Sequence, residues 1–175
     1  MPLKENANLL LASWCWSLDK PHLLWRTCGA NSYELNKATV QAKLLSGRFR
    51  TEKLLSHLAA GNSQFCQLHP GTQTVGDLNH FLADCPSLAF RRKLLFEYWD
   101  RISSANPVAY NIIQIMKTTN QQIFLQFVLD CSVLPEFISA AQQHGDVIYN
   151  ILFKATRTFC YSLYRTKLKL LDQWI

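Results

Sequence analysis

Apolar residues recur along most of this chain at the three- and four-residue spacing of an amphipathic helix, and strands are hard to place. Turn-forming residues interrupt the pattern at residues 27–32, Gly47, Pro70–Gly71 and Asn106–Pro107. Between the first two turns, the pattern predicts a helix that Ser32 caps and Gly47 ends. A second short helix is predicted within residues 48–62. The expected fold is therefore mostly α, an irregular multi-helix bundle.

The second half of the chain is also helical in pattern. Pro86 suits a first helical turn, and helical spacing continues from there to residue 104. Three shorter helices are predicted within residues 108–117, 120–131 and 134–143. A long last helix should run from Asp146 to about residue 174. Its apolar face is predicted to consist of Ile148, Leu152, Ala155, Phe159, Leu163, Leu170 and Trp174, and its basic opposite face of Lys154, Arg157, Arg165 and Lys169.

The segment from Gln64 to Val75 has no sustained periodicity and contains a Pro-Gly pair, so it is predicted to form a compact loop. A short hairpin within this loop stays open as an alternative. Asp77 can then cap a helical stretch that reaches Cys85 and Pro86. Four soft or borderline metal ligands fall in this region, with the spacing Cys-x2-His-x10-His-x4-Cys: Cys66, His69, His80 and Cys85.

Thiolate and imidazole are the ligands that four-coordinate zinc prefers. A spacing of five residues exceeds one helical turn, so His80 and Cys85 converge only if the helix loosens near Cys85, which Pro86 favours. Four protein ligands leave no open position, so the predicted Zn²⁺ is structural and staples the small loop to the bundle. In the alternative interpretation Cys66 and Cys85 are buried thiols, and the histidines are incidental.

Residues 25–99 resemble the C-terminal region of non-LTR retrotransposon reverse transcriptases. The shared elements are the helical stretch AKLLSGRFRTEKLLSHL, a Cys-led loop, the DLNHFLADCP segment with its His-x4-Cys-Pro step, and a helix that opens with paired basic residues, Arg91 and Arg92. In that family a zinc-knuckle-like element follows the polymerase domain and is thought to help hold RNA or target DNA.

The resemblance implies Cys66, His80 and Cys85 as zinc ligands, whereas His69 stands where the family usually has a cysteine. It also implies a division of the chain into three parts. Residues 1–32 would be an N-terminal extension, a remnant following a polymerase region. Residues 33–104 would be a helical zinc-knuckle-like module, and residues 105–175 a C-terminal helical region ending in the long amphipathic helix.

The formal net charge is +6, and the excess lies in residues 33–60 and 154–175. Clustered positive charge favours a polyanionic partner, which makes RNA or DNA the first expectation and an anionic membrane surface the second. A solvated basic face is the plainer alternative. Phe49 or Phe65 would stack on a base or, more commonly, anchor the core. Six cations flank the metal loop and are the candidate phosphate contacts: Arg48, Arg50, Lys53, Arg91, Arg92 and Lys93.

Catalysis is not expected, because every aspartate is isolated from the others and no P-loop, nucleophile elbow or HExxH motif occurs. The chain thus looks like a non-catalytic tail of a reverse transcriptase. Six scattered cysteines favour a reducing compartment, nuclear or cytoplasmic, and no apolar run approaches the length of a membrane span. The alternative function is a helical protein–protein interaction module, in which the last helix docks a partner and the metal site is structural or degenerate.

Overall fold

The computed structural model describes residues 22–172. Its eight α-helices are α1 (Leu23–Arg26), α2 (Ser32–Leu45), α3 (Glu52–Leu58), α4 (Ala89–Ser103), α5 (Pro107–Thr118), α6 (Gln121–Asp130), α7 (Pro135–His144) and α8 (Asp146–Asp172). A π-helical turn covers His80–Asp84, and 3-10 turns cover Pro86–Leu88 and Cys131–Val133. The described residues contain no named strand, so the mostly α, multi-helix prediction is confirmed.

Polar side chains begin most of the helices, as their spacing in the sequence suggests. The first predicted cap is displaced by one residue, because Asn31 Oδ1, not Ser32, accepts from the backbone N–H of Glu34 at 2.9 Å. Gly47 follows α2 with a φ of +68°, the left-handed conformation that glycine adopts without strain. Asn106 caps α5 in the same way as Asn31 caps α2. Local side chains therefore fix where these helices start and stop.

The last helix, α8, lies at the centre of the described fold, because α2, α4, α5, α6 and α7 all pack against it. Its predicted apolar face is buried through Leu163, Leu170 is partly buried, and Trp174 lies outside the described residues. Helices from residues 33–104 and 105–172 contribute to the same core around α8. The protein's own helices therefore cover this face of α8 from Ile148 to Leu163.

The prediction that Arg157 belongs to the exposed basic face of α8 is wrong. Its side chain is buried and donates to the carbonyl oxygen of Leu24 at 3.1 Å and to the carbonyl oxygen of Thr27 at 2.7 Å. The hydroxyl of Thr27 accepts a further bond at 2.7 Å. These acceptors are the carbonyls that the short helix α1 leaves unpaired, so Arg157 attaches α1 to α8. The other three basic residues of that face are exposed as predicted: Lys154, Arg165 and Lys169.

The stretch Gln121–His144 is long and apolar enough, by length and composition alone, to cross a membrane. The sequence analysis had expected no apolar run of this length. The stretch comprises α6, a 3-10 turn and α7, and Pro135 separates the two helices. The protein buries 56% of the most apolar part of this stretch, as it would in the core helices of a globular fold. The stretch is therefore weak evidence for a membrane span.

Candidate metal centre

The loop between α3 and the π-helical turn is held as a narrow hairpin-like turn. The N–H of Cys66 donates to the carbonyl of Thr74 at 2.9 Å, and the N–H of Gly76 donates to the carbonyl of Gln64 at 2.9 Å. One isolated antiparallel bridge, between Phe65 and Val75, is the extent of the pairing that is described. The segment is therefore both the predicted compact loop and a minimal hairpin. Cys66 lies next to the bridge at its base, and His69 lies at the turn near its tip.

The second ligand pair is brought together by a π-helical turn. In an α-helix, residues five apart point about 140° away from each other, which would separate His80 from Cys85. Here the N–H of Cys85 donates to the carbonyl of His80 at 2.7 Å, an i to i+5 bond that widens the turn. Asp77 Oδ1 accepts from the N–H of His80 at 2.9 Å, as the predicted cap. The loosened helix end that the sequence analysis required is thus present before Pro86.

The structure brings all four predicted ligands together. One ligand atom from each of Cys66, His69, His80 and Cys85 lies within 4.8 Å of every other, and this group could hold a metal ion. Ideal tetrahedral coordination with the usual zinc bond lengths places ligand atoms roughly 3.3 to 3.8 Å apart. The two Nε2 atoms of His69 and His80 are 2.9 Å apart and would separate by a few tenths of an ångström around an ion. A pair at the 4.8 Å limit would have to approach by about 1 Å.

Thr72 orients the ring of His69. Its hydroxyl oxygen lies 2.6 Å from His69 Nδ1 and 3.2 Å from the carbonyl oxygen of His69. If the hydroxyl proton goes to the carbonyl, the hydroxyl oxygen accepts from Nδ1–H, and this leaves the lone pair of His69 on Nε2. That is the nitrogen that faces the other ligands. A hydrogen-bonded second nitrogen is usual for histidines that bind metals. Sequence reasoning missed this role of Thr72.

The sulfurs of Cys66 and Cys85 are buried and form a hydrogen bond with each other. Cys66 donates to Cys85, and this bond is the main reason that the pKa of Cys85 is lowered to about 7. The same bond, followed by burial, raises the pKa of Cys66. The backbone N–H groups of Ser87 and Leu88 also lower the pKa of Cys85, against the effect of burial. These surroundings favour a thiolate at Cys85 and a protonated thiol at Cys66, so the site as it stands favours one of the two thiolates that a zinc ion would bind.

The six cations predicted to contact phosphates are not equivalent. Arg48, Arg50, Lys53 and Lys93 are exposed, and Arg91 is partly buried. Arg92 is buried, and its Nη2 donates to the carbonyl oxygen of Cys85 at 2.7 Å. This bond fixes the backbone of a candidate metal ligand and leaves Arg92 turned away from solvent.

The two aromatic residues that the sequence analysis singled out also differ. Phe49 is buried, stacked on Phe81 with ring centroids 4.9 Å apart, as a core anchor is. Phe65 is 36% exposed.

A buried ion pair that sequence reasoning missed joins the start of α3 to α8, beside the metal loop. Lys167 Nζ lies 2.8 Å from the carboxylate of Glu52, and both side chains are buried. Gly76 faces this carboxylate so closely that an added Cβ would lie 2.7 Å from a Glu52 oxygen. Only glycine fits there. No local signal could reveal this pair, because its members are 115 residues apart in the chain.

No protein-family model, no curated protein and no solved structure matches this chain.

Proposed function

We propose that this chain is a non-catalytic nucleic-acid-binding tail of the non-LTR reverse transcriptase type, with one structural Zn²⁺ at its centre. The observation that carries the proposal is the convergence of Cys66, His69, His80 and Cys85 on one point. The zinc-knuckle-like spacing of the resembling family is the second support, because it accounts for the order of three of these ligands.

Zinc is the metal that this donor set suits best. Two thiolates and two imidazoles are soft and borderline ligands, and hard cations such as Mg²⁺ or Ca²⁺ prefer oxygen. Because all four positions would be filled by side chains, the metal would organise the loop and carry no substrate. Three of the four ligands are buried, which suits a structural ion.

Exposed positive charge supports the nucleic-acid part of the proposal. Arg48, Arg50, Lys53 and Lys93 face solvent on segments that flank the metal loop in the chain. Phosphates attract such side chains, and the release of counterions from the polyanion drives binding. Arg92 belongs in this account to the support of the metal site, through its bond to Cys85.

Fluorescence anisotropy of zinc-loaded full-length protein with labelled single-stranded RNA, single-stranded DNA and duplex DNA tests the proposal. The logarithm of the association constant should fall linearly with the logarithm of salt concentration, at about 0.7 per phosphate contacted on a single strand. Four contacts correspond to a slope of about −2.8. Absence of binding, or an affinity that does not change with salt concentration, would contradict the proposal and favour the protein-interaction module.

A further inference from the structure

An open groove of about 1020 Å³ runs between α2 and α8, bordered by α1 and by the chain that follows α2. Four cations line it: Lys43, Arg48, Arg50 and Arg165. Among the described residues that line the groove, none is acidic. Two of these cations, Lys43 and Arg165, lie outside the set that flanks the metal loop.

The groove cations are free of internal partners. All four are exposed, and none forms an ion pair with any residue in the 22–172 range. By contrast, Lys37, Lys117 and Lys167 each pair with a carboxylate, as Lys37 does with Glu34 at 2.8 Å. Concentrated, uncompensated positive charge in a concave surface produces a field that attracts an anion.

Aromatic rings lie among these cations. Trp25, which is 37% exposed, stands at the α1 border, and the partly buried Tyr161 and Tyr164 lie along α8. The floor is Phe49, whose ring contacts Tyr164 edge-on at 5.7 Å. Rings interleaved with cations are what unpaired bases and their phosphates need, because the rings stack on bases while the cations follow the backbone.

The floor of the groove also connects to the metal centre. Phe49 stacks on Phe81, the residue that follows the ligand His80 in the π-helical turn. A metal ion bound to His80 would hold the π-helical turn, and through Phe81 it would keep Phe49 in place at the groove floor.

We infer that this groove binds a single strand of nucleic acid, with the four cations on successive phosphates and Trp25 stacked on a base. The inference rests on the proposed function and names the surface that performs it. Single strands are favoured over duplexes because stacking on side-chain rings requires unpaired bases. The opening segment of the chain, residues 1–21, carries two acidic and two basic side chains, so it has no net charge to complement the groove.

The charge arm of the test compares two double variants of the full-length protein. Lys43→Gln with Arg165→Gln removes two groove cations, and Lys154→Gln with Lys169→Gln removes two exposed cations of α8 outside the groove. Both variants lose the same net charge. Binding of a labelled single-stranded RNA, and of the DNA of the same sequence, is measured across a salt series. The groove variant should show a salt slope smaller by about 1.4, and the control an unchanged slope.

The stacking arm compares Trp25→Ala with Tyr110→Ala, which truncates an exposed ring on α5 outside the groove. Base–ring stacking predicts a roughly five- to 150-fold loss of affinity for single strands in the first variant, and none in the second. Duplex affinity should change little in either.

The outcomes separate the inference from the proposed function. If the unaltered protein binds no nucleic acid, the proposed function fails and the inference falls with it. If the protein binds but the groove variants behave like their controls, the inference alone is overturned. A groove covered by residues 1–21 or by another protein would give that second result. Circular dichroism confirms that the exposed substitutions leave the fold intact.

Discussion

Replacing Lys167 by methionine would leave the Glu52 carboxylate buried without its partner. In the native protein Lys167 Nζ lies 2.8 Å from that carboxylate, and both residues are less than a tenth exposed. The remaining contact, the N–H of Gln67 at 3.5 Å, is long. The negative charge would therefore lose its close partner inside the protein.

The expected cost follows from burial. Removing one member of a buried ion pair costs about 3 to 5 kcal/mol. Glu52 stands in the first turn of α3, where the helix dipole favours a negative charge by about 0.3 to 1 kcal/mol. Because the helix dipole offsets part of the cost, we expect Lys167→Met to lower the free energy of unfolding by about 3 kcal/mol, the lower end of that range. Replacing both Glu52 and Lys167 by methionine should cost much less than the single change, because an apolar pair leaves no buried charge.

Urea denaturation of the zinc-loaded protein, followed by tryptophan fluorescence, measures this loss. With a denaturant dependence of about 2 kcal/mol per molar urea, Lys167→Met should lower the midpoint by about 1.5 M. Lys169→Met, an exposed neighbour on α8, should change the free energy of unfolding by no more than about 0.5 kcal/mol. A loss below about 1 kcal/mol for Lys167→Met, or a double variant as unstable as the single one, would refute the reasoning.

Three further outcomes are expected. Thr72→Val removes the acceptor of His69 Nδ1, so zinc affinity measured by chelator competition should fall about 10- to 100-fold while the ligands stay in place. Arg92→Leu frees the carbonyl of Cys85 and should lower zinc affinity over the same range. Burial raises the pKa of Asp130, but hydrogen bonds from neighbouring side chains outweigh it and hold that pKa below its ordinary value. Asp130→Asn should therefore cost about 1 to 3 kcal/mol of unfolding free energy at pH 7. Because the stabilising form is the carboxylate, this difference should shrink as pH falls below about 4.

Each of these expectations has a control. Lys93→Gln, next to Arg92 but exposed, should leave zinc affinity unchanged, and an equal loss would mean that the bond to Cys85 is irrelevant. Thr74→Val changes the same residue type in the loop without touching a histidine, so it should retain native affinity. A difference between Asp130→Asn and native protein that persisted at pH 2 would contradict the pKa argument.

The helices and the ligand set were predictable because both depend on local sequence. Periodic apolar positions and polar caps act within one or two turns, so α8 and the turn after Gly47 follow from the pattern. Both ligand pairs lie within 20 residues, as the Cys66 to Cys85 spacing shows. The spacing of His80 and Cys85 required a loosened helix end near Cys85, and the structure provides it as a π-helical turn.

The partners of buried charges were not predictable, because they lie far away in the chain. Arg157 sits on a helical face with exposed lysines, and its acceptor Thr27 is 130 residues away. Arg92 looks like half of a basic pair in sequence, yet its guanidinium turns inward to Cys85. The groove escaped prediction for the same reason, because only folding brings Arg165 and Arg48 to the same groove. A single sequence indicates on which face of a helix each residue lies, but it does not indicate which other element packs against that face.

The central claim is that four side chains hold one zinc ion, and elemental analysis of protein purified without chelator tests it most directly. The account predicts one Zn²⁺ per chain in the native protein, none retained in Cys85→Ser, and full retention in Cys160→Ser, where a buried thiol lies outside the cluster. Native protein that takes up no zinc, or a Cys85→Ser variant that holds it as well as Cys160→Ser does, would contradict the account.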